Sequence, residues 1–205
     1  MRINNAIGCN DFPCNDIAKD CYLVPDIDID PKTIRMVMIS EVPPQNSNEY
    51  FYSFDDPFYL QTTLQAFNDA GLNFTSISDI LNSGIYITTA VKCGKTGYSI
   101  SSKTIDNCSK ILEKEIGLFP NLKVIILNGD VAIKALNYMS KRQFKEIVIP
   151  SGSTYKIRKD PYYYKHNRVF PSYILTGKNF LIEKSKRKMI AEDIKSAYQI
   201  ISHCK

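Results

Sequence analysis

The chain has 205 residues, 44% of them apolar, enough to bury a full core as one domain. It holds no run of about 18 apolar residues, which excludes a helical membrane span. Residues 1–12 lack the apolar core of a secretory signal, so a cytoplasmic location is expected and the six cysteines argue for metal or reduced thiols over disulfides.

The net charge of +5 is modest, but its distribution is uneven. Residues 1–60 carry four Lys/Arg against ten Asp/Glu, and residues 151–205 carry twelve against four. A basic C-terminal third is either a surface for phosphates or the solvated face of an amphipathic helix.

Residues 1–30 are acidic, cysteine-bearing and without periodicity, a segment apart from the repeating elements that follow. Residues 33–39 form the first predicted strand, whose run Met36–Ile39 is continuously apolar, as in a strand buried on both faces of a parallel sheet. The run breaks into Ser40-Glu41-Val42-Pro43-Pro44, where two prolines end the pairing. A carboxylate at the carboxyl end of a central strand is where open α/β sheets build their sites. A loop rich in aromatics and acids follows at 50–57, then a helix over 59–70 that Gly71 stops. Residues 84–91 read as a strand and 104–116 as a helix. A strand at 122–127 turns through Asn128-Gly129-Asp130 into a helix at 131–139. Short strands are expected at 147–149 and 168–175, and a long basic helix at 183–201. Strands alternating with helices predict a parallel-sheet α/β domain over residues 1–205.

Cys9, Cys14 and Cys21 are spaced C-x4-C-x6-C, and Cys93 and Cys108 are spaced C-x14-C. Four thiolates from two remote segments suit zinc or an iron–sulfur cluster, although neither spacing is the C-x2-C of common zinc ribbons. Cys93 and Cys108 are equally well ordinary buried thiols, and Cys204 is expected to be free.

Several segments carry a family resemblance when taken together. They are SEVPP at 40–44, Pro57-Phe58 before a helix, YITTAVKC at 86–93, and Cys108, Leu112 and Glu115 on one helix. A strand ending in Gly129 before a helix, and FPSYIL at 170–175, complete the set. In this order, over about residues 9–201, they resemble the iron–sulfur uracil-DNA glycosylases, the family 4 and 5 branch of that superfamily. The resemblance implies a three-layer α/β/α fold around a mostly parallel four-stranded sheet. It implies a four-iron, four-sulfur cluster on Cys93, Cys108, Cys9 and Cys14, with Cys21 able to replace either N-terminal ligand and zinc as the alternative. Residues 1–30 are then the cluster-binding segment. Glu41 falls where the family positions the attacking water and contacts the base, and Phe58 where it stacks uracil. Thr89, Phe170 and Ser172 fall on substrate-contacting positions.

Two of these depart from the family. Thr89 stands for an Asn that reads the uracil edge, and a hydroxyl cannot reproduce that paired amide geometry. Phe170 stands for a His that stabilises charge on the leaving base. The loop Gly94-Lys95-Thr96-Gly97 also differs from the family's R-P-P-x-N-R. His166, in the tract Tyr162-Tyr163-Tyr164-Lys165-His166-Asn167-Arg168, is either an exposed loop histidine or a stand-in for the missing one. That tract interleaves rings and cations as single-strand binders do, or simply roofs the core. The expectation is a monomeric, diverged glycosylase acting on DNA, single-stranded or uracil-containing. The alternatives are a catalytically silent DNA-binding member and a metal-stabilised α/β protein with an unrelated ligand.

Overall fold

Three five-residue strands, each buried along its whole length, make the centre of the molecule. A computed structural model describes residues 1–54 and 56–202, the side chains of Lys178 and Asn179 apart, so His203 and Cys204 lie outside the described residues. The strands are β1 (Ile17–Tyr22), β2 (Met36–Ser40), β3 (Ile85–Thr89), β4 (Cys93–Lys95), β5 (Val124–Asn128), β6 (Tyr162–Tyr164) and β7 (Asn167–Ser172). The helices are α1 (Phe58–Asp69), α2 (Ile77–Asn82), α3 (Ser102–Ile116), α4 (Asp130–Phe144), α5 (Thr154–Ile157), α6 (Lys178–Ile182) and α7 (Lys184–Ser202).

The main sheet runs β3-β2-β5-β7-β6, its first four strands parallel and β6 antiparallel to β7. Every residue of β2, β3 and β5 is buried, which is why these strands read as continuous apolar runs and not as alternations. Alternate side chains divide the core into two layers. Val37, Ile39, Ile125 and Leu127 meet α3 and α4 through Leu112 and Leu136, whereas Met36, Met38, Ile87 and Ile126 meet α1 and α7 through Phe67 and Ile194. This is the expected three-layer α/β/α arrangement.

The sheet has five strands rather than the expected four. The addition is β6, drawn from the tyrosine tract that patterned as a loop; it is only three residues long and half open to solvent, so its sequence lacks a buried run. The strand expected at 147–149 is absent. The Asn137 side chain holds that stretch instead, its Oδ1 accepting from Val148 N and Ile149 N and its Nδ2 donating to Ile149 O. A side-chain amide thus satisfies the backbone groups that a sheet ladder would have used. At the opposite edge, the Tyr52 hydroxyl donates to Ile87 O at 2.7 Å and accepts from Ile87 N at 3.1 Å, covering the open side of β3. A second, two-stranded sheet pairs β1 with β4 and so ties the N-terminal segment to the chain just beyond β3.

Candidate functional site

The strand β2 is followed by a helix on one face of the sheet, and its neighbour β5 by α4 on the other. The carboxyl ends of these two strands therefore form the topological switch point, where the diverging connections leave a crevice. Glu41 directly follows β2 there, and its Oε1 accepts a hydrogen bond of 3.1 Å from Val131 N in the first turn of α4. A helix N-terminus stabilises a carboxylate so placed. Close approach is possible because residue 129 is glycine: a Cβ there would stand 2.5 Å from Glu41 Oε1 and 2.6 Å from Ile174 Cγ1, and its φ is +105°. Burial still pushes the Glu41 carboxyl above its ordinary value. The Val131 hydrogen bond and the Lys95 charge oppose the rise, and the Asp130 charge adds to it.

Glu41 lines a cavity of about 570 Å³. Tyr59, Tyr173 and Ile174 supply its rings and apolar wall, Lys95 and Lys186 its cations, and Asp130 and Glu183 two further carboxylates. Ser172 borders the same cavity, but it is fully buried and its Oγ donates to Asp193 Oδ2 at 2.7 Å. Arg158 in turn holds Asp193 through two hydrogen bonds, so the wall beneath the cavity is a buried Ser–Asp–Arg chain.

The other expected contacts fall elsewhere. Phe58 is half-buried at the start of α1, where its N–H donates to Glu49, and the ring of α1 that borders the cavity belongs to Tyr59. Phe170 is packed in the core layer shared with α7, with the Arg168 guanidinium 4.4 Å from its ring centre. Thr89 is fully buried, and its Oγ1 has no hydrogen-bond partner among the described residues. It belongs to a row of buried polar side chains crossing the carboxyl edge of the parallel strands: Thr89, Ser40, Asn128 and Ser172. Asn128 Oδ1 and the nearby Tyr50 hydroxyl share the lack of a partner. His166 sits in the turn before β7, at the opposite end of that strand from Ser172. Six residues of strand separate the two by roughly 20 Å. It is an exposed loop histidine, remote from the Glu41 cavity.

Beyond the end of β3, between the N-terminal segment and α3, Cys9, Cys14, Cys93 and Cys108 all border one cavity of about 300 Å³. Cys21 does not; its Sγ donates to Gln45 O at 3.2 Å. Burial pushes the Cys93 thiol up to about 12 and Cys108 up to about 11, and neighbouring thiols contribute to both. No three metal-ligating side chains among the described residues stand assembled at coordination distance. Lys92 links this cavity to the sheet. Its backbone N–H donates to Cys108 Sγ at 3.2 Å, and its fully buried ammonium meets Glu115 at 2.5 Å, Thr88 Oγ1 at 2.7 Å and Thr89 O at 2.6 Å. Tyr86 and Thr88 complete the hydrogen bonding of Glu115, so the buried ion pair is fully partnered.

The sequence model of the uracil DNA glycosylase superfamily matches residues 28–192, a span that takes in all four parallel strands and the crevice at their carboxyl ends. The chain belongs to the uracil DNA glycosylase superfamily. No curated protein matches it. Within the superfamily match lie Glu41, Phe58, Thr89, Cys93, Cys108, Phe170 and Ser172, while Cys9, Cys14 and Cys21 precede it. Among the described residues no helix is long and apolar enough to cross a membrane. Sequence pattern did not single out Tyr59, Lys95 or Asp130 as cavity residues. The turn Asn128-Gly129-Asp130 was the signal available for the last of them.

Proposed function

We propose that this superfamily member hydrolyses the N-glycosidic bond of a flipped uracil or other damaged base in DNA, with Glu41 as its catalytic carboxylate. The observation that carries this is Glu41 itself, anchored by the N-terminus of α4 at the β2/β5 switch point and lining a cavity of about 570 Å³. Bases must leave the stack to be cut, and the cavity offers a flipped base the ring of Tyr59, beside the expected stacking position at Phe58. As the bond to the base breaks, positive charge grows on the sugar, and an ionised Glu41 stabilises it while water attacks C1′. The electron pair of the broken bond leaves with the base.

The residues at positions 89 and 170 support a second reading. Thr89 is buried and Phe170 is core, so neither supplies the amide or imidazole on which base recognition and leaving-group stabilisation depend in the resembled family. A member that binds a flipped base without cutting it fits that loss. Base release from a uracil-containing oligonucleotide by anaerobically purified protein separates the two, Glu41→Ala serving as the control.

The thiols of Cys9, Cys14, Cys93 and Cys108 would hold a four-iron, four-sulfur cluster, and their convergence on one cavity supports that set over one containing Cys21. When bound, such a cluster supplies metal–thiolate cross-links, here between the N-terminal segment and the end of β3. Zinc is the alternative occupant for four thiols. Reduced thiols of this kind go with a cytoplasmic location.

A further inference from the structure

A second buried ion pair, Arg158–Asp193, lies beneath the Glu41 cavity, and the chemistry above gives it no task. Arg158 ends the short helix α5 and sends its guanidinium to α7. There it donates to Asp193 Oδ1 at 2.7 Å and Oδ2 at 3.3 Å, to Met189 O at 2.7 Å and to Glu192 at 3.1 Å. Asp193 Oδ2 also accepts from Ser172, the last residue of β7. Buried charges are unfavourable unless fully partnered, and fixing one arrangement of the elements they join is the best-attested reason for keeping them. Here the elements are α5, α7 and β7, and each supplies wall to the cavity. Thr154 opens α5, Lys186 lies on α7, and the chain runs on from β7 through Tyr173 and Ile174.

Ser172 links this pair to Glu41. An ionised Asp193, held through both oxygens by Arg158, can only accept, so the Ser172 hydroxyl spends its proton there and has none for a phosphate or a base. The Ser172 carbonyl accepts from Gly129 N at 3.1 Å, and Tyr173 O accepts from Asn128 Nδ2 at 3.1 Å. One residue further on, Ile174 Cγ1 and Glu41 Oε1 both stand within 2.6 Å of the point where a Gly129 Cβ would lie. The two side chains therefore flank the same glycine. A shift of β7 at Ser172 is passed over two residues to the apolar group beside the Glu41 carboxylate.

We propose that Arg158, Asp193 and Ser172 form a positioning chain that sets the cavity wall beside Glu41, with Ser172 a tether and not a substrate contact. The proposal rests on the glycosylase reading and adds to it residues that act through the placement of Glu41. The test is single-turnover release of uracil from a uracil-containing oligonucleotide by the full chain, across enzyme concentrations, so that the saturating rate and the half-saturating concentration are read separately. Ser172→Ala cuts the tether and leaves Arg158 and Asp193 paired, which keeps the fold. Asp193→Ala alone would strand the Arg158 cation, so it is combined with Arg158→Met, which removes both buried charges. Ser172→Ala and the paired variant are each expected to lower the saturating rate by about tenfold and leave the half-saturating concentration unchanged, at a temperature where thermal unfolding shows them folded. Adding Ser172→Ala to the paired variant should cost nothing more, because residues that act as a unit are not additive. Wild-type rates in both variants, additive losses, a loss in Ser172→Ala that the paired variant does not share, or a raised half-saturating concentration overturns the positioning chain alone. Absence of uracil release by wild type overturns the glycosylase reading with it.

Discussion

At residue 129 the backbone adopts φ +105° and ψ 171°, a region open essentially to glycine alone. The residue also sets how near Glu41 comes to α4, since the nearest atoms to an added Cβ belong to the Glu41 carboxylate and Ile174. Gly129→Ala is therefore expected to destabilise the fold by about 1–3 kcal/mol and, because the obstructing atoms are mobile side-chain ends, to displace Glu41. Denaturant titration and a base-release assay measure the two effects separately. Glu41 itself carries a cost: its carboxyl is raised by burial, so the folded state holds a proton that the unfolded chain releases near its ordinary value of 4.5. Stability should fall as pH rises from that value through the raised folded one, and remain lower above it. Glu41→Gln keeps an acceptor for Val131 N and loses the ionisation. It should flatten this dependence and be the more stable protein at neutral pH, as seen in denaturation midpoints across pH. Glu41 was legible in the sequence because an apolar run broke at two prolines beside it. Tyr59, Lys95 and Asp130 were not, because pattern gives spacing along a strand or helix and not proximity between loops.

β2 and β5 were legible for the same reason, as apolar runs of the right length, and β3 through its β-branched residues. The misreadings have local causes. A three-residue edge strand has no buried run to recognise, and a run of aliphatic residues at 147–149 is held by the Asn137 amide rather than by a neighbouring strand. Packing between β3 and α3 depends on a feature no periodicity reveals, the buried Lys92–Glu115 pair. Lys92→Met leaves the Glu115 carboxyl without its cation in the core, and is expected to cost about 3–5 kcal/mol in denaturation. Adding Glu115→Leu should recover part of the loss, since it removes the unpaired acid but leaves the Tyr86 and Thr88 hydroxyls without their acceptor.

Across the whole molecule, the N-terminal segment is joined to the chain beyond β3 by β1–β4 pairing and by the cysteine cavity it shares with α3. If the four thiols hold a metal centre, Cys108→Ser should lose bound iron or zinc and lower the unfolding temperature. Cys21→Ser should keep the full metal content, because that thiol faces Gln45. Metal analysis of the two variants beside wild type decides the ligand set, and equal metal in both would contradict it. The fold and the superfamily were within reach of the sequence because strand order and motif order coincide. The chemistry left at positions 89 and 170 was not, since only the structure places one under the sheet edge and the other in the core. The most direct test of the account is single-turnover release of uracil from DNA, with enzyme in excess, by wild type and Glu41→Ala. The account predicts release by wild type and a loss of at least about 10²-fold in the variant. Equal release by both, or none by wild type, would contradict it.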